Sequence, residues 1–364
     1  MRAWWWLWSR CPGIGAARMR MLEAVAVEHG VGLEDLWTWP IDRLQRALAW
    51  PNSLVQQVDY FRRISGAAPD LNVPGDVILP GDPSWPVLLN ELQRPPLALF
   101  HRGRSELLAV IAQQRCVAVV GTRSASPHGL HAAAELSSAL ALAGWPVLSG
   151  LAEGIDAAAL RACLNAGGSP IAVLGTPLNR AYPSHHRRLQ AAIGEKGLLL
   201  TEQAHAAPVR RGHFAARNRL LVALSCAVVV VECPERSGAL ITARCAVEQQ
   251  CPVWVVPGDA GRGSARGSNA LLLDKAAPLL SPQQLIHHLG EGPLPSQSPV
   301  VSVRTEWSHS DQRLLEALEH GASLEELSRV LNRPSARLAK DLLALELQGR
   351  VLCESGHRWR PIPG

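Results

Sequence analysis

No two of the eight cysteines in this 364-residue sequence form a C-x-x-C pair. Cys11, Cys116, Cys163, Cys226, Cys233, Cys245, Cys251 and Cys353 fall at irregular intervals. Neither a zinc site nor a disulfide framework is expected from such spacing, and buried reduced thiols are the simpler reading. Long apolar runs are also missing: the longest, Leu220 to Val231, is too short to span a bilayer. The tryptophan-rich start, Met1 to Arg10, lacks a small-residue cleavage site and reads as a packed helix rather than a signal peptide. These absences place the chain in the cytoplasm. Charge is sparse, with 18% charged residues against 47% hydrophobic and a formal net charge of +5. The balance describes a globular protein, and any anionic partner must be argued from where the basic residues lie. Catalytic signatures are absent too: no H-E-x-x-H, no G-x-S-x-G, no G-x-G-x-x-G and no Walker lysine. No catalytic residue, metal or cofactor is therefore expected.

What is present falls into blocks. Residues 1–68 carry helical periodicity, broken at Trp39-Pro40 and at Cys11-Pro12-Gly13-Ile14-Gly15. The latter is like the turn of a SAM or helix-hairpin-helix domain, although with few basic residues nearby a tight turn between packed helices is favoured. Residues 69–289 begin with a proline-rich, irregular lead-in to Arg104. Short unalternating runs of Val, Ala, Leu and Ile then alternate with helical stretches. Strands are expected at Cys116–Val120, Pro146–Ser149, Ile171–Leu174, Leu198–Leu200, Ala227–Val231 and Val253–Val256, with helices such as Gly129–Ala143, Asp156–Ala166 and Gly238–Gln249. That alternation predicts an α/β fold with a Rossmann-like, doubly wound, mostly parallel sheet. A Pro- and Ser-rich linker follows at 290–308. Residues 309–364 then predict a winged-helix-like domain, with a capping box at Ser323-Leu324-Glu325-Glu326, a helix over Arg333 to Leu347 and strands at Val351–Cys353 and His357–Arg360.

Chemistry concentrates at the expected strand ends. Gly121-Thr122-Arg123-Ser124 follows the first strand, where a glycine turn, free helix amides, hydroxyls and a guanidinium suit an anion. Ser149 and Gly150 repeat the pattern after the second, and Asp156 serves equally as a helix cap. Between Glu202 and Glu232 no carboxylate occurs, yet Arg210, Arg211, Arg217 and Arg219 stand there with His205 and His213. Phe214, one of three phenylalanines, sits inside that stretch. Basic groups neutralise phosphates and an aromatic face stacks on any base; a solvated loop around a buried Phe214 accounts for the same residues equally well. Ser237 and Gly238 open a further helix after the fifth strand. In open α/β sheets these turns converge at one edge, and the convergence points to an anionic ligand. Asp156, Glu202 and Glu232 reach the same edge, which leaves an acid/base pair open. His185 and His186, beside Arg187 and Arg188, read as basic surface.

The ordered series Val119-Val120-Gly121-Thr122-Arg123, Leu148-Ser149-Gly150-Leu151-Ala152 with Gly154-Ile155-Asp156, and Ala172-Val173-Leu174-Gly175 with Tyr182-Pro183 resembles the DNA-processing protein A family (DprA, or Smf). Thr201-Glu202, Arg217-Asn218-Arg219, Ser237-Gly238 with Thr242-Ala243, and Val256-Pro257-Gly258 continue the match. The resemblance implies single-stranded DNA binding, a homodimer formed through the core, and loading of RecA recombinase during natural transformation. By position, Arg123 and Arg211 would hold backbone phosphates, Phe214 would face a base, and Arg217, Asn218 and Arg219 would line the same edge. The sequence departs from the family at Glu153, usually basic, at Ala215, often proline, and at Ala276-Ala277, usually Gly-Ala. Two rivals share parts of the pattern. A Rossmann-like nucleotide hydrolase of the phosphoribohydrolase type would need a Pro-Gly-Gly-x-Gly-Thr loop, which is missing. A duplex-DNA-binding regulator would use Arg333, Arg337 and Lys340, but Asp341, Glu346 and Glu354 dilute that charge.

Overall fold

The structure, a computed structural model, describes residues 1–66 and 68–296 and, in the C-terminal part, 314, 317–318, 321–347, 351–354 and 358–361. The chain folds as two compact units, Met1–Gln297 and Ser298–Gly364.

The first unit opens with five helices, α1 (Arg2–Ser9), α2 (Ala16–Glu28), α3 (Leu33–Thr38), α4 (Ile41–Leu48) and α5 (Asn52–Ser65). Their apolar faces share one core around Trp8, Met19, Leu22, Leu36, Leu44 and Val58. The Pro12–Gly15 turn joins α1 to α2, and Gly13, at φ +82°, lies so close to Leu54 on α5 that a β-carbon would clash. It is the tight turn between packed helices that the sequence favours.

The α/β part is built on nine strands: β1 (Val77–Ile78), β2 (Leu99–Gly103), β3 (Val117–Val120), β4 (Val147–Ser149), β5 (Pro170–Leu174), β6 (Leu198–Thr201), β7 (Ala227–Val230), β8 (Val253–Val255) and β9 (Ala277–Pro278). They form one sheet in the order β1-β2-β6-β5-β4-β3-β7-β8-β9. From β6 to β9 every pairing is parallel; the β1–β2 and β2–β6 pairings are antiparallel, so β2 alone runs against the rest. The six expected strands all form, within two residues at each end. The lead-in, expected to be irregular, supplies β1 and β2 as well, and Arg2 and Trp5 of α1 bind the Val77 and Leu97 carbonyls there.

Both faces are covered, which is why the strand sequences do not alternate in polarity. Ala118, Val120, Val228 and Val230 meet α6 (Glu106–Ala112), α10 (Arg211–Ala223), α11 (Gly238–Glu248) and α12 (Arg266–Leu273) on one side. Val117, Val119, Ala227 and Val229 meet α7 (Pro127–Leu142), α8 (Ile155–Asn165) and α13 (Pro282–Leu289) on the other, while α9 (Arg187–Lys196) extends that layer over β5 and β6. The chain winds one way from β3 to β6 and the other way from β7 to β9. Its reversal falls between β3 and β7, where a doubly wound sheet opens a crevice at the strand carboxyl ends.

In the second unit β10 (Ala322–Ser323), β11 (Val351–Glu354) and β12 (Arg358–Pro361) form an antiparallel sheet beside α14 (Leu324–Leu331) and α15 (Ser335–Leu347). Ser323 and Glu326 form the expected capping box, and the Ser323 amide holds the Glu326 carboxyl below its usual range. Arg333 lies in the turn before α15 rather than on it. His357 lies outside the described residues.

The segment after α13, expected to be linker, is partly built into the first unit. Gly290, Glu291, Leu294 and Ser296 bond to Trp145, Arg115, Gly144 and Leu142 respectively, across the base of α7 and β4. Residues 297–308 of the expected linker lie outside the described residues. A chain ending at Ser296 keeps this strap and one ending at Leu289 loses its four hydrogen bonds. At roughly 0.5–1.5 kcal/mol each, the shorter chain is expected to lose about 2–6 kcal/mol in urea unfolding. Equal midpoints would show that the strap is ornamental.

Candidate nucleic-acid interface

Every strand from β3 to β8 ends at one edge of the sheet, and the helix that follows begins there. The loop after β3 is fixed first. Thr122 donates its amide to the Glu232 carbonyl at 2.7 Å and accepts the Ile155 amide on its own carbonyl at 3.2 Å. Gly121 and Gly154 allow this crossing of loops. A β-carbon on Gly121 would strike Ile155, and one on Gly154, at φ +75°, would strike the Thr122 carbonyl. Ser126 then caps α7 by accepting the Gly129 amide. The result is a short loop with Arg123 and Ser124 thrown outward into solvent.

Glu232, at the end of β7, locks that loop from behind. Its buried carboxylate accepts from the Ser126 amide at 3.0 Å and hydroxyl at 3.1 Å, and also from Ser264. Arg262 donates to the same Ser126 hydroxyl at 3.3 Å. The loops after β3, β7 and β8 are thereby joined. Asp156 is occupied too, accepting the amides of Gly150 at 3.1 Å and Ala152 at 3.4 Å. Both carboxylates hold backbone.

Arg217 lies beneath the crevice. Its guanidinium donates to the Gly150 carbonyl at 2.7 Å, to the Val173 carbonyl, and to Asn218. Gly150 is needed for this, since a β-carbon there would overlap the guanidinium. Burial pushes the Asp156 carboxyl up from its ordinary value, opposed by Arg217 and by the amides of Ala152, Gly150 and Gly121. Burial also pushes Arg217 down to about 10, opposed by Asp156 and reinforced by nearby Arg123. At that value the guanidinium stays charged at neutral pH, and Asp156, held by the amides of the neighbouring turn, lies within its electrostatic reach.

The stretch of basic residues with Phe214, which the sequence leaves open as a solvated loop, forms the first half of α10. Its amino terminus points to the sheet edge, adding free amides to the Arg210 and Arg211 side chains, both exposed. Phe214 is half-buried, seated on Gly175, with Tyr182 4.8 Å away between ring centroids. Asn218 donates to the Gly238 carbonyl at 3.3 Å and so ties α10 to α11, whose start is capped by Ser237.

These elements enclose an open crevice of about 360 Å³ at the β3/β7 reversal. Gly121, Thr122, Arg123, Ser124, Arg211, Phe214, Arg217, Asn218, Ser237 and Gly238 all line it. Gly150 lines a smaller notch beside it. Ser149 is buried, its hydroxyl donating to the Val119 carbonyl at 2.6 Å and tying β4 to β3. Arg219 turns away to Glu202, at 2.6 Å, and to the Arg94 carbonyl. Arg236, exposed on the crevice wall, was not singled out by the sequence, because it lies past the carboxylate-free stretch between two glutamates. The histidine pair also divides: His186 is buried with Nδ1 3.1 Å from the Leu151 carbonyl, and only His185 is surface. Among the described residues no group of three or more His, Cys, Asp or Glu is placed to hold a metal, and no helix is long and apolar enough to cross a membrane.

The comparisons with known proteins agree with this architecture. Residues 76–290 match the family described as DNA recombination-mediator protein A. Protein Smf of Synechocystis is 35% identical over 306 residues, covering 81% of this chain and 74% of its own. The putative DNA processing protein DprA of Mycobacterium tuberculosis is 34% identical over 341 residues, covering 88% and 86%. Among solved structures, DNA processing protein A of Streptococcus pneumoniae superposes with a TM-score of 0.65 at 26% identity, over 79% of this chain and 98% of that one. The same protein from Helicobacter pylori, a structure described as giving insight into its unique single-stranded DNA binding mode, gives 0.51 at 30% identity, over 56% and 92%. A relative more than 30% identical across most of both chains, and a family match across the whole α/β part, leave one conclusion: this chain belongs to the DprA/Smf family of DNA recombination mediators.

Proposed function

We propose that this protein binds single-stranded DNA along the crevice at the β3/β7 reversal, without chemistry on it, and loads RecA recombinase onto the strand during natural transformation. The observation that carries the binding reading is the convergence of exposed Arg123, Arg211 and Arg236 with half-buried Phe214 around one open crevice. Phosphates are neutralised by the guanidiniums and by amides at helix starts, and a base is met by the ring. The crevice lacks a protruding helix or ribbon of the kind that reads a duplex groove, so sequence-tolerant binding that favours single strands is expected. A nucleotide-hydrolase reading gains no support from Asp156 and Glu232, whose oxygens are engaged by backbone and serines. Loading of RecA rests on family membership, and its test is faster recombinase assembly on coated single strands.

The homodimer implied by the family has a candidate face. A groove of about 840 Å³ beside α11, α12 and β8 is walled by Leu240, Ala243, Val247, Val253 and Leu271. Val247 is 69% exposed, and on neighbouring α12 Leu273 is 88% exposed. Replacing both by aspartate is expected to shift the sedimentation of the protein from dimer to monomer while leaving its circular dichroism spectrum unchanged. A double variant that still sediments as a dimer would move the interface elsewhere.

Salt dependence separates the residues that touch phosphate from those that support the site. Losing one phosphate contact flattens the log K against log salt slope by about 0.7 for single strands. Arg123→Ala, Arg211→Ala and Arg236→Ala are each expected to show that change with unaltered stability. Arg217→Ala should behave otherwise, since it leaves the buried Gly150 and Val173 carbonyls without their donor, at about 1–3 kcal/mol of folding stability each. Phe214→Ala should cost about 1–3 kcal/mol of binding with the slope unchanged. Unaltered slopes in all three exposed arginine variants would remove DNA from this crevice.

A further inference from the structure

Beside the main crevice lies a notch of about 60 Å³, lined by Arg123, Gly150, Ala152, Glu153, Tyr182, Pro183 and Phe214. Its composition differs from that of the crevice. Tyr182, 50% exposed, and Phe214 stand with ring centroids 4.8 Å apart and planes tilted by 45°, so the notch has an aromatic wall. Glu153 stands in it with an exposed carboxylate, one oxygen held at 3.1 Å by Nε2 of His185. The other carboxylate oxygen has no partner among the described residues.

A carboxylate beside the phosphate-binding Arg123 is the wrong group for a phosphate. It repels one at the distance where Arg123 attracts one. It suits a base edge whose donor is an exocyclic amino group, as in cytosine, whereas the N3–H of uracil and thymine lies between two carbonyls that a carboxylate repels. Aromatic faces supply the other half of base recognition, because they stack without regard to identity. The notch has room for the edge of one base, with Tyr182 and Phe214 placed to meet its ring. We infer that the Arg123–Glu153–Tyr182–Phe214 notch is a nucleobase subsite that favours bases carrying an exocyclic amino group over uracil and thymine. This inference rests on the single-stranded DNA reading above and adds to it a base preference that a purely electrostatic groove lacks. His185 is a positioning residue in this arrangement, aiming the carboxylate by holding one of its oxygens.

Deoxycytidine and deoxyuridine oligonucleotides of equal length provide the test, since the bases differ only at C4, amino against carbonyl, and at the adjacent N3, a bare acceptor in cytosine and an N–H flanked by two carbonyls in uracil. Above neutral pH cytosine carries no extra proton, so charge is matched. The wild-type protein is expected to bind the cytidine strand roughly three- to tenfold more tightly, the range of one ordinary net hydrogen bond. Glu153→Gln, whose amide both donates and accepts, should bring the two strands to within twofold of each other. Tyr182→Leu should weaken both strands with no change in salt slope, and a melting temperature measured alongside separates lost stacking from lost structure. Equal wild-type affinity for the two strands would overturn the subsite while leaving the DNA-binding crevice intact. So would a cytidine preference that survives Glu153→Gln. If neither strand binds, the single-stranded DNA reading fails and the subsite fails with it.

Discussion

Arg217 reaches down from α10 to the carbonyls of Gly150 and Val173, at the ends of β4 and β5, and Asp156 of α8 balances its charge through the amides of the same turn. Three elements that are far apart in sequence are held by one guanidinium. A buried charge without a counter-charge and full hydrogen bonding is expensive, so the arrangement tolerates little change around it. Gly150 has no room for a side chain, and the amides of Gly150 and Ala152 hold the Asp156 carboxylate in place beside Arg217. What this fixes is the register of α10 on the sheet. With Arg217 pinned beneath, Phe214 comes to rest over Gly175 one turn earlier, and Arg211 and the free amides of the helix start lie at the sheet edge.

The opposite wall is held by the same kind of device with the sign reversed. Glu232 is a buried carboxylate met by an amide and two hydroxyls, and Arg262 approaches through Ser126. One buried charge therefore organises each side of the reversal point. The exposed guanidiniums of Arg123 and Arg236 stand on loops that these networks hold, so their positions owe little to the long side chains themselves. Such a frame presents charge to a ligand without having to order the backbone on binding, and that reduces the entropic penalty of association.

Sequence reading located the sheet well because each strand is buried on both faces and therefore appears as an unbroken apolar run. β1, β2 and β9 escaped it: two of them are only two residues long, and β2 ends in the exposed Arg102 and Gly103, so its pattern is half polar. Periodicity also missed α10, since Arg, Gly and His crowd its first turn and hide the apolar face that Leu220 and Leu221 bury later. At the site, residue types were legible and their depth was not. Arg217 and Arg219 are neighbours in an arginine-rich motif and look alike on paper. The helical turn sends one into the sheet edge and the other to Glu202 on the flank. Exposure of an arginine depends on which carbonyls lie within its reach, and a linear motif does not carry that information. The strap from Gly290 to Ser296 was read as linker for the same reason, because its contacts are backbone bonds that leave no mark on composition.

The distribution of charge across the edge separates two kinds of recognition. Positive groups on flexible side chains line the open crevice, where the proposed strand would bind through counterion release whatever its sequence. The aromatic pair and Glu153 occupy the narrower notch, with Arg123 shared between the two spaces. Glu153 opposes nonspecific phosphate attraction at that point, so strand affinity at the edge is lower than an all-basic turn would give. Such a loss of attraction has a physical use only if the carboxylate discriminates. Tyr182 and Phe214 bring a base close enough for the carboxylate to act on its edge, and His185 keeps one oxygen engaged so that the other is the one presented. The proposed edge, gripping phosphates evenly and grading the bases modestly, is compatible with holding many sequences.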